Sequence, residues 1–189
     1  MAGKVIVLSA PSGCGKSTII NSILDSGDVD MQFSVSATNR SPRAGEVNGV
    51  SYHFMTTEAF QEAVAAGEFI EWEEVYPGRF YGTLRSEVDR VIDTGHNVVL
   101  DIDVKGALNV KRIYGGRALT IFIEPPSIDE LRRRLEGRGT ETAETIAVRI
   151  GKAEYELGFA ADFDVRVVND DLERAICDTR KVITDFINA

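Results

Sequence analysis

The chain has 189 residues, 43% of them hydrophobic and 27% charged, with a formal net charge of −9. That length suits one domain with a full core, and the acidic balance excludes a protein that grips nucleic acid through a general basic surplus. No apolar run reaches the roughly 20 residues of a membrane span, and no signal-peptide pattern opens the chain, so a cytoplasmic setting is expected.

Val5 to Ser9 reads as a buried strand and Lys16 to Asp25 as a helix closed by Gly27. Between them lies Ser9-Ala10-Pro11-Ser12-Gly13-Cys14-Gly15-Lys16-Ser17-Thr18. Strand, glycine turn and helix start are the context of a phosphate-binding loop. Gly13 and Gly15 allow φ > 0, so several N–H groups can converge on one anion, and the helix N-terminus points at the same place. Lys16 is placed to reach β- and γ-phosphates, and the Ser17 hydroxyl to ligate Mg²⁺. A glycine turn that binds nothing would also link a strand to a helix, but lysine and serine in this register argue against it. The loop departs from the usual pattern at Ala10, where a glycine is customary.

The next section is rich in short strands. Phe33 to Thr38 alternates like a strand, Arg40 to Glu46 reads as a loop, and Val50 to Phe54 is another short strand. Glu58 to Ala66 is helix-like and stopped by Gly67. Phe69 to Val75 and Arg79 to Thr83 flank a Pro77-Gly78 turn. This is read as a lobe of residues 34–83 inserted into an alternating strand–helix chain.

After it, Leu84 to Asp93 is an amphipathic helix with Leu84, Val88, Val91 and Ile92 on one face. Asn97 to Asp103 is an apolar strand ending in carboxylates, and Val104 to Tyr114 a helix. Ala118 to Ile123 is a further buried strand. Ser127 to Glu130 has capping-box spacing for the helix carrying Leu131 and Leu135. Arg138 to Thr142 reads as a polar turn, Ala143 to Ala160 as a helix, Val165 to Val168 as a strand and Leu172 to Ile187 as the closing helix. The fold class is α/β: a parallel sheet core flanked by helices, with a small mixed or antiparallel β insertion and a short lid. Ligand is expected beyond the carboxyl ends of the strands, where the loop and Asp101 both lie.

Three groups of side chains suit chemistry on phosphates. Arg40 and Arg43, with Tyr52 and Tyr81, offer guanidinium forks and phenol hydroxyls to an anion. Ser36, Glu71, Thr83 and Asp103 are acceptors and hydroxyls. Carboxylates accept only, which matches the adjacent N1–H and amine donors of guanine, an edge adenine lacks. Alternation along a strand would also turn Glu71 to solvent by default. Arg134, Arg138 and Arg149 follow the third buried strand and can bring charge to a transferring phosphoryl group. An arginine-rich exposed helix is the plainer alternative. Asp101, at the end of an apolar run, fits a carboxylate that orients Mg²⁺ through water. His53 and His96 stand apart from Cys14 and Cys177, so zinc is not expected. Cys14 is read as a small residue that fits the turn, with thiol oxidation as the alternative.

Taken together, these motifs closely resemble the guanylate kinase family, from about Lys4 to the last helix. The most specific segments are Phe33 to Ser36 running into Arg40 to Glu46, then Gly49, Tyr52, Phe69 to Trp72, and Tyr81 to Thr83. Asp101 to Asp103, Arg134 to Gly139 and Val168 to Asp171 complete the set. The resemblance implies Mg²⁺-dependent transfer of the ATP γ-phosphoryl group to GMP, with dGMP also plausible. It implies a core of residues 1–33, 84–136 and 151–189, a GMP-binding lobe of 34–83 and a lid at about 137–150, closing together on substrate. Residues Ala10 to Thr18 would hold ATP phosphates, with Asn169 near the adenine. Arg40, Arg43, Tyr52 and Tyr81 would hold the GMP phosphate. Ser36, Glu71, Thr83 and Asp103 would read guanine, with Glu46 shaping that pocket. Arg134, Arg138 and Arg149 would be lid-side arginines. Lys105 stands where a glutamine is common.

No nucleic-acid, membrane or obligatory protein partner is expected. A protein-binding guanylate-kinase-like scaffold module is disfavoured by the retained Lys16 and Ser17, and a GTPase by the lack of an Asn-Lys-x-Asp signature. A kinase for another nucleoside monophosphate is disfavoured by Glu71 and Asp103.

Overall fold

The computed structural model describes residues 3–137 and 142–189. Its strands are β1 (Val5–Ser9), β2 (Met31–Phe33), β3 (Ala37–Thr38), β4 (His53–Phe54), β5 (Phe69–Tyr76), β6 (Arg79–Leu84), β7 (Asn97–Asp101), β8 (Ala118–Glu124) and β9 (Val165–Val168). Its helices are α1 (Lys16–Ser26), α2 (Thr57–Ala65), α3 (Arg85–Asp93), α4 (Val104–Tyr114), α5 (Ile128–Gly137), α6 (Ala143–Leu157) and α7 (Leu172–Asn188). Among the described residues no helix is long and apolar enough to cross a membrane.

One sheet has five strands in the order β2-β7-β1-β8-β9, with β2 parallel to β7 and β8 parallel to β9. Its three central strands, β7, β1 and β8, read as continuous apolar runs because both faces are covered, while the edge strands β2 and β9 are partly exposed. All of β1 is buried, as are Val98 to Leu100 of β7 and Ile121 to Ile123 of β8. The second sheet has the order β4-β3-β6-β5 and is mixed: β3 runs parallel to β4, and β6 antiparallel to both β3 and β5.

The chain divides into two compact units, residues up to 5 with 31–100, and 6–30 with 101–189. The first has its own small core in the second sheet. Phe60 of α2 packs on Phe69 and Phe80, with ring centroids 4.4 and 5.6 Å apart, beside Ala37 and Ala63. In the second unit α1 packs against α7, α4 against β8, and α5 against α6. Caps set several helix starts: the Thr56, Thr142 and Asp171 side chains accept from the backbone N–H three residues on. Ser127 does the same for Glu130 at 3.1 Å.

Five expectations change. The alternating run Phe33 to Thr38 is not one strand. Residues 31–33 pair with β7, while 37–38 belong to the other sheet. A period of two carries no label for which sheet a residue joins. Val50 and Ser51 form a turn, closed by their N–H groups on Val47 O at 3.2 and 2.9 Å, and only His53–Phe54 is strand. Leu84 ends β6 instead of starting α3, and β7 stops at Asp101. The helix from Ala143 ends at Leu157 rather than Ala160, at a Gly158 whose N–H is shared between Glu154 O and Tyr155 O, and a 3₁₀ turn (Ala160–Asp162) follows.

Candidate active site

In the second unit, Lys16, Ser17, Asp101, Arg149 and Asn169 come together at the turn after β1. Gly13 and Gly15 take φ +96° and +84°, values that a Cβ would strain, and Gly15 is the N-cap of α1. Cys14 N–H closes the loop on Pro11 O at 3.2 Å. The helix begins here with no side-chain cap, so its first N–H groups stay available to an anion.

Packing behind the loop holds its shape. A Cβ on Gly13 would come within 2.9 Å of Leu135 Cδ2 and 3.1 Å of Leu131 Cδ1, so α5 supports the loop closely. A Cβ on Gly15 would come within 2.6 Å of Asn169 Nδ2. That same Nδ2 donates to Cys14 O at 2.8 Å, a buried bond spanning 155 residues of sequence.

In front of the loop, Lys16 forms an ion pair with Asp101 at the end of β7. Ser17 Oγ donates to Asp101 Oδ2 at 3.5 Å. Arg149 of α6 donates to Ser12 Oγ. Arg134 is held on α5 by Glu130, its Nε 2.9 Å from Oε1. The hydrogen bond from Arg134 is the main reason the Glu130 carboxyl sits below its ordinary value. Arg138 lies outside the described residues. Asp103 caps α4, its Oδ1 accepting from Gly106 N–H at 2.8 Å. Lys105 Nζ stands 5.7 Å from the Tyr155 ring centroid, within cation–π range.

In the first unit, four of the expected residues meet. Arg40 forms a two-pronged pair with Glu46, both N···O distances 2.6 Å. Its guanidinium carbon lies 4.9 Å from the Tyr52 ring centroid, and Tyr52 meets Tyr81 edge-on at 5.9 Å. Glu46 also accepts from Arg43 N–H at 2.7 Å, while the Arg43 residue is exposed. Glu71 and Thr83 are register partners on β5 and β6, and Thr83 Oγ1 donates to Glu71 Oε1 at 2.6 Å. Ser36 is half-buried in the break between β2 and β3, and its carbonyl accepts from His53 N–H.

Sequence reasoning missed Asn39. Its Oδ1 accepts from Phe80 N–H at 2.8 Å, and its Nδ2 donates to Thr57 Oγ1 and Gly78 O at 2.9 and 2.8 Å. It ties three segments together beside Arg40. A lone asparagine after a strand carries no periodic signal that would have marked it.

A protein that turns its first strand into a helix through such a loop, with a lysine, a serine and a strand-end carboxylate around the turn, is a P-loop nucleotide-binding protein. Comparison with known proteins narrows that class. The guanylate kinase family model matches residues 2–186. A guanylate kinase from Bacteroides fragilis is 55% identical over 184 residues, 97% of this chain and 90% of its own length. One from Salinibacter ruber is 54% identical over 185 residues, 98% of this chain and 97% of its own. The crystal structure of guanylate kinase from Anaplasma phagocytophilum, 32% identical, superposes with a TM-score of 0.72 over 98% of this chain and 87% of that one. The chain belongs to the guanylate kinase family.

Proposed function

We propose that this chain transfers the γ-phosphoryl group of ATP to a phosphate oxygen of GMP, giving ADP and GDP. The observation that carries the reading is the gathering of Lys16, Ser17 and Asp101 at the turn of residues 10–15, in a chain matched by the family model over 2–186.

In this reading the backbone of Ala10, Pro11, Ser12, Gly13, Cys14 and Gly15, with Lys16, Ser17 and Thr18, holds the ATP phosphates, and Asn169 belongs to the same half. Arg40, Arg43, Tyr52 and Tyr81 hold the GMP phosphate, and Glu46 keeps Arg40 in place. Glu71 and Asp103 accept the guanine N1–H and amine, Ser36 donates to its carbonyl, and Thr83 orients Glu71. Arg134, Arg138 and Arg149 supply charge at the γ-phosphoryl group.

Two oxygen donors, Ser17 Oγ and Asp101 Oδ2, face one another next to the loop, a donor set that fits a hard divalent cation such as Mg²⁺. Ser17 would ligate the ion and Asp101 hold it through water. Held there, such an ion would supply positive charge that offsets the charge of the ATP phosphates. Lys16 acts on the same phosphates as a point charge. The attacking GMP oxygen is already ionised, so no side chain has to take its proton, and the protein's work is positioning and charge stabilisation.

Residues 34–83 serve as the GMP-binding lobe and about 137–150 as the lid. Closure keeps water from the γ-phosphoryl group, which would otherwise hydrolyse. Acceptance of dGMP and a cytoplasmic setting complete the reading. A coupled assay of ADP release tests it, with GMP, AMP, CMP and UMP as competing acceptors. Turnover with GMP far above the other three is expected, and equal turnover with AMP would overturn it.

A further inference from the structure

We propose that Asn169 is a positioning residue for the phosphate loop, and that it acts by fixing the orientation of the peptide between Cys14 and Gly15. The inference rests on the reading of that loop as the ATP phosphate site, and goes beyond it by naming what holds the loop in its binding form.

Asn169 follows directly on β9 and is only 4% exposed. Its own N–H donates to Glu124 O, at the end of β8, at 2.8 Å. The residue is therefore anchored to the sheet before its side chain does anything. The carboxamide Nδ2 then donates to Cys14 O at 2.8 Å.

The consequence follows from peptide geometry. In a trans peptide, the C=O of one residue and the N–H of the next point in opposite directions. Holding Cys14 O toward Asn169 thus turns Gly15 N–H to the opposite side of the loop. Gly15 is the N-cap at φ +84°, and its N–H is one of the groups such a loop presents to an anion.

At a glycine, rotating this peptide meets little steric resistance, because φ of either sign is accessible. Without the side-chain brace, nothing in the residue type of Gly15 keeps its N–H aimed one way. Asn169 Nδ2 also lies where a Cβ on Gly15 would come to 2.6 Å, so brace and glycine fit one another. An unmade partner for the buried Cys14 carbonyl further penalises loop forms that keep it pointing inward.

This role differs from adenine contact in what it predicts for a probe without adenine. The test is calorimetric binding of ATP, inorganic tripolyphosphate and GMP to the wild-type chain, Asn169→Asp and Asn169→Ala. Asn169→Asp keeps the shape and places an acceptor against Cys14 O. Asn169→Ala removes the donor without adding charge, so the result does not depend on the folding of one variant. Both variants should lose affinity for ATP and tripolyphosphate by the same factor, on the order of tenfold to a hundredfold. GMP affinity should stay within about twofold, because additivity holds for sites that share no partners. In turnover, KM for ATP should rise while kcat at saturating ATP stays close to wild type. Weakened ATP with unchanged tripolyphosphate would mean an adenine contact and overturn the inference, as would equal weakening of GMP. A wild-type chain that binds GMP but neither polyphosphate probe would overturn the ATP-site reading and this inference with it.

Discussion

Arg40 and Glu46 meet fork to fork, each of the two Arg40 terminal nitrogens 2.6 Å from a different Glu46 oxygen. Bidentate pairs of this kind fix a guanidinium in a plane as well as in place. The hydrogen bond from Arg40, and after it the one from Arg43 N–H, hold the Glu46 carboxyl at about 2, against an ordinary 4.5. The same bond raises the Arg40 guanidinium above its usual value. A carboxyl held below its unfolded value stabilises the fold above pH 4.5, and that contribution is lost as pH falls through about 2. Thermal midpoints of wild type and Glu46→Gln should therefore differ by a constant amount above pH 4.5. The gap should close as pH falls from there toward 2. A gap that widens on acidification would contradict the pairing. The same substitution loosens Arg40, so KM for GMP should rise on the order of tenfold with kcat less affected.

Glu71 receives the Thr83 hydroxyl at 2.6 Å across the β5–β6 ladder. Thr83 is buried, so its donor has to be used within the protein. In the proposed reading, the contact sets the plane in which the carboxylate meets guanine. Glu71→Gln exchanges one acceptor for a donor facing the guanine donors. KM for GMP should rise by about tenfold to a hundredfold while turnover of AMP is unchanged, as expected where a site's hydrogen-bonding pattern is broken. Thr83→Val should give a smaller loss in the same direction. An unaltered GMP-to-AMP ratio in Glu71→Gln would remove Glu71 from the guanine pocket.

Asp103 separates two roles in one side chain. Its Oδ1 caps α4 through Gly106 N–H at 2.8 Å, and the proposed guanine contact requires its charge. Asp103→Asn retains a capping oxygen, because Asn and Asp cap about equally well, so stability should change by only a few tenths of a kcal/mol. KM for GMP should nonetheless rise. Asp103→Ala should show the same kinetic loss and also lose about 1 kcal/mol with its cap. Denaturant unfolding and GMP kinetics on the two variants check this. Kinetics in Asp103→Asn indistinguishable from wild type would leave the residue a cap alone.

The glycine turn between β1 and α1 was legible because its signal is local: glycines, lysine and serine within ten residues, between an apolar run and a helix. Strands β1, β7 and β8 were legible because burial on both faces makes them continuous runs of Val, Ile and Leu. What the chain does not display locally is partnership at a distance. Nothing in the spacing of Arg40 and Glu46 states that a loop will fold them fork to fork. The Asn169 bond to Cys14 spans 155 residues, and no periodicity connects them. The division of residues 31–38 between two sheets failed for the same reason, since alternation is identical whichever sheet pairs with it. Asp103 lies between these cases. An acidic residue three before a glycine suits a helix start, but the carboxylate run at the end of an apolar strand made it look like a strand terminus.

Lys16 and Asp101 give the most direct test of the phosphoryl-transfer assignment. Their ion pair is partly exposed, with side-chain exposures of 19% and 30%, and such pairs contribute roughly 0–1 kcal/mol to folding. Lys16→Met should therefore keep its circular dichroism and nearly its thermal midpoint. Its kcat/KM should nevertheless fall by about 10²–10³ or more, because a positioned charge at the transferring group is removed. Asp101→Asn should act differently. It keeps Lys16 available and, in the proposed reading, weakens only the hold on a divalent ion opposite Ser17, so the Mg²⁺ concentration for half-maximal turnover should move upward. Raising Mg²⁺ should then recover much of the Asp101→Asn activity and none of that lost in Lys16→Met, since an ion held by oxygens does not replace an ammonium on the phosphates. Recovery of both variants by Mg²⁺ would mean the two side chains share one role, and the separate parts proposed for them would have to be given up.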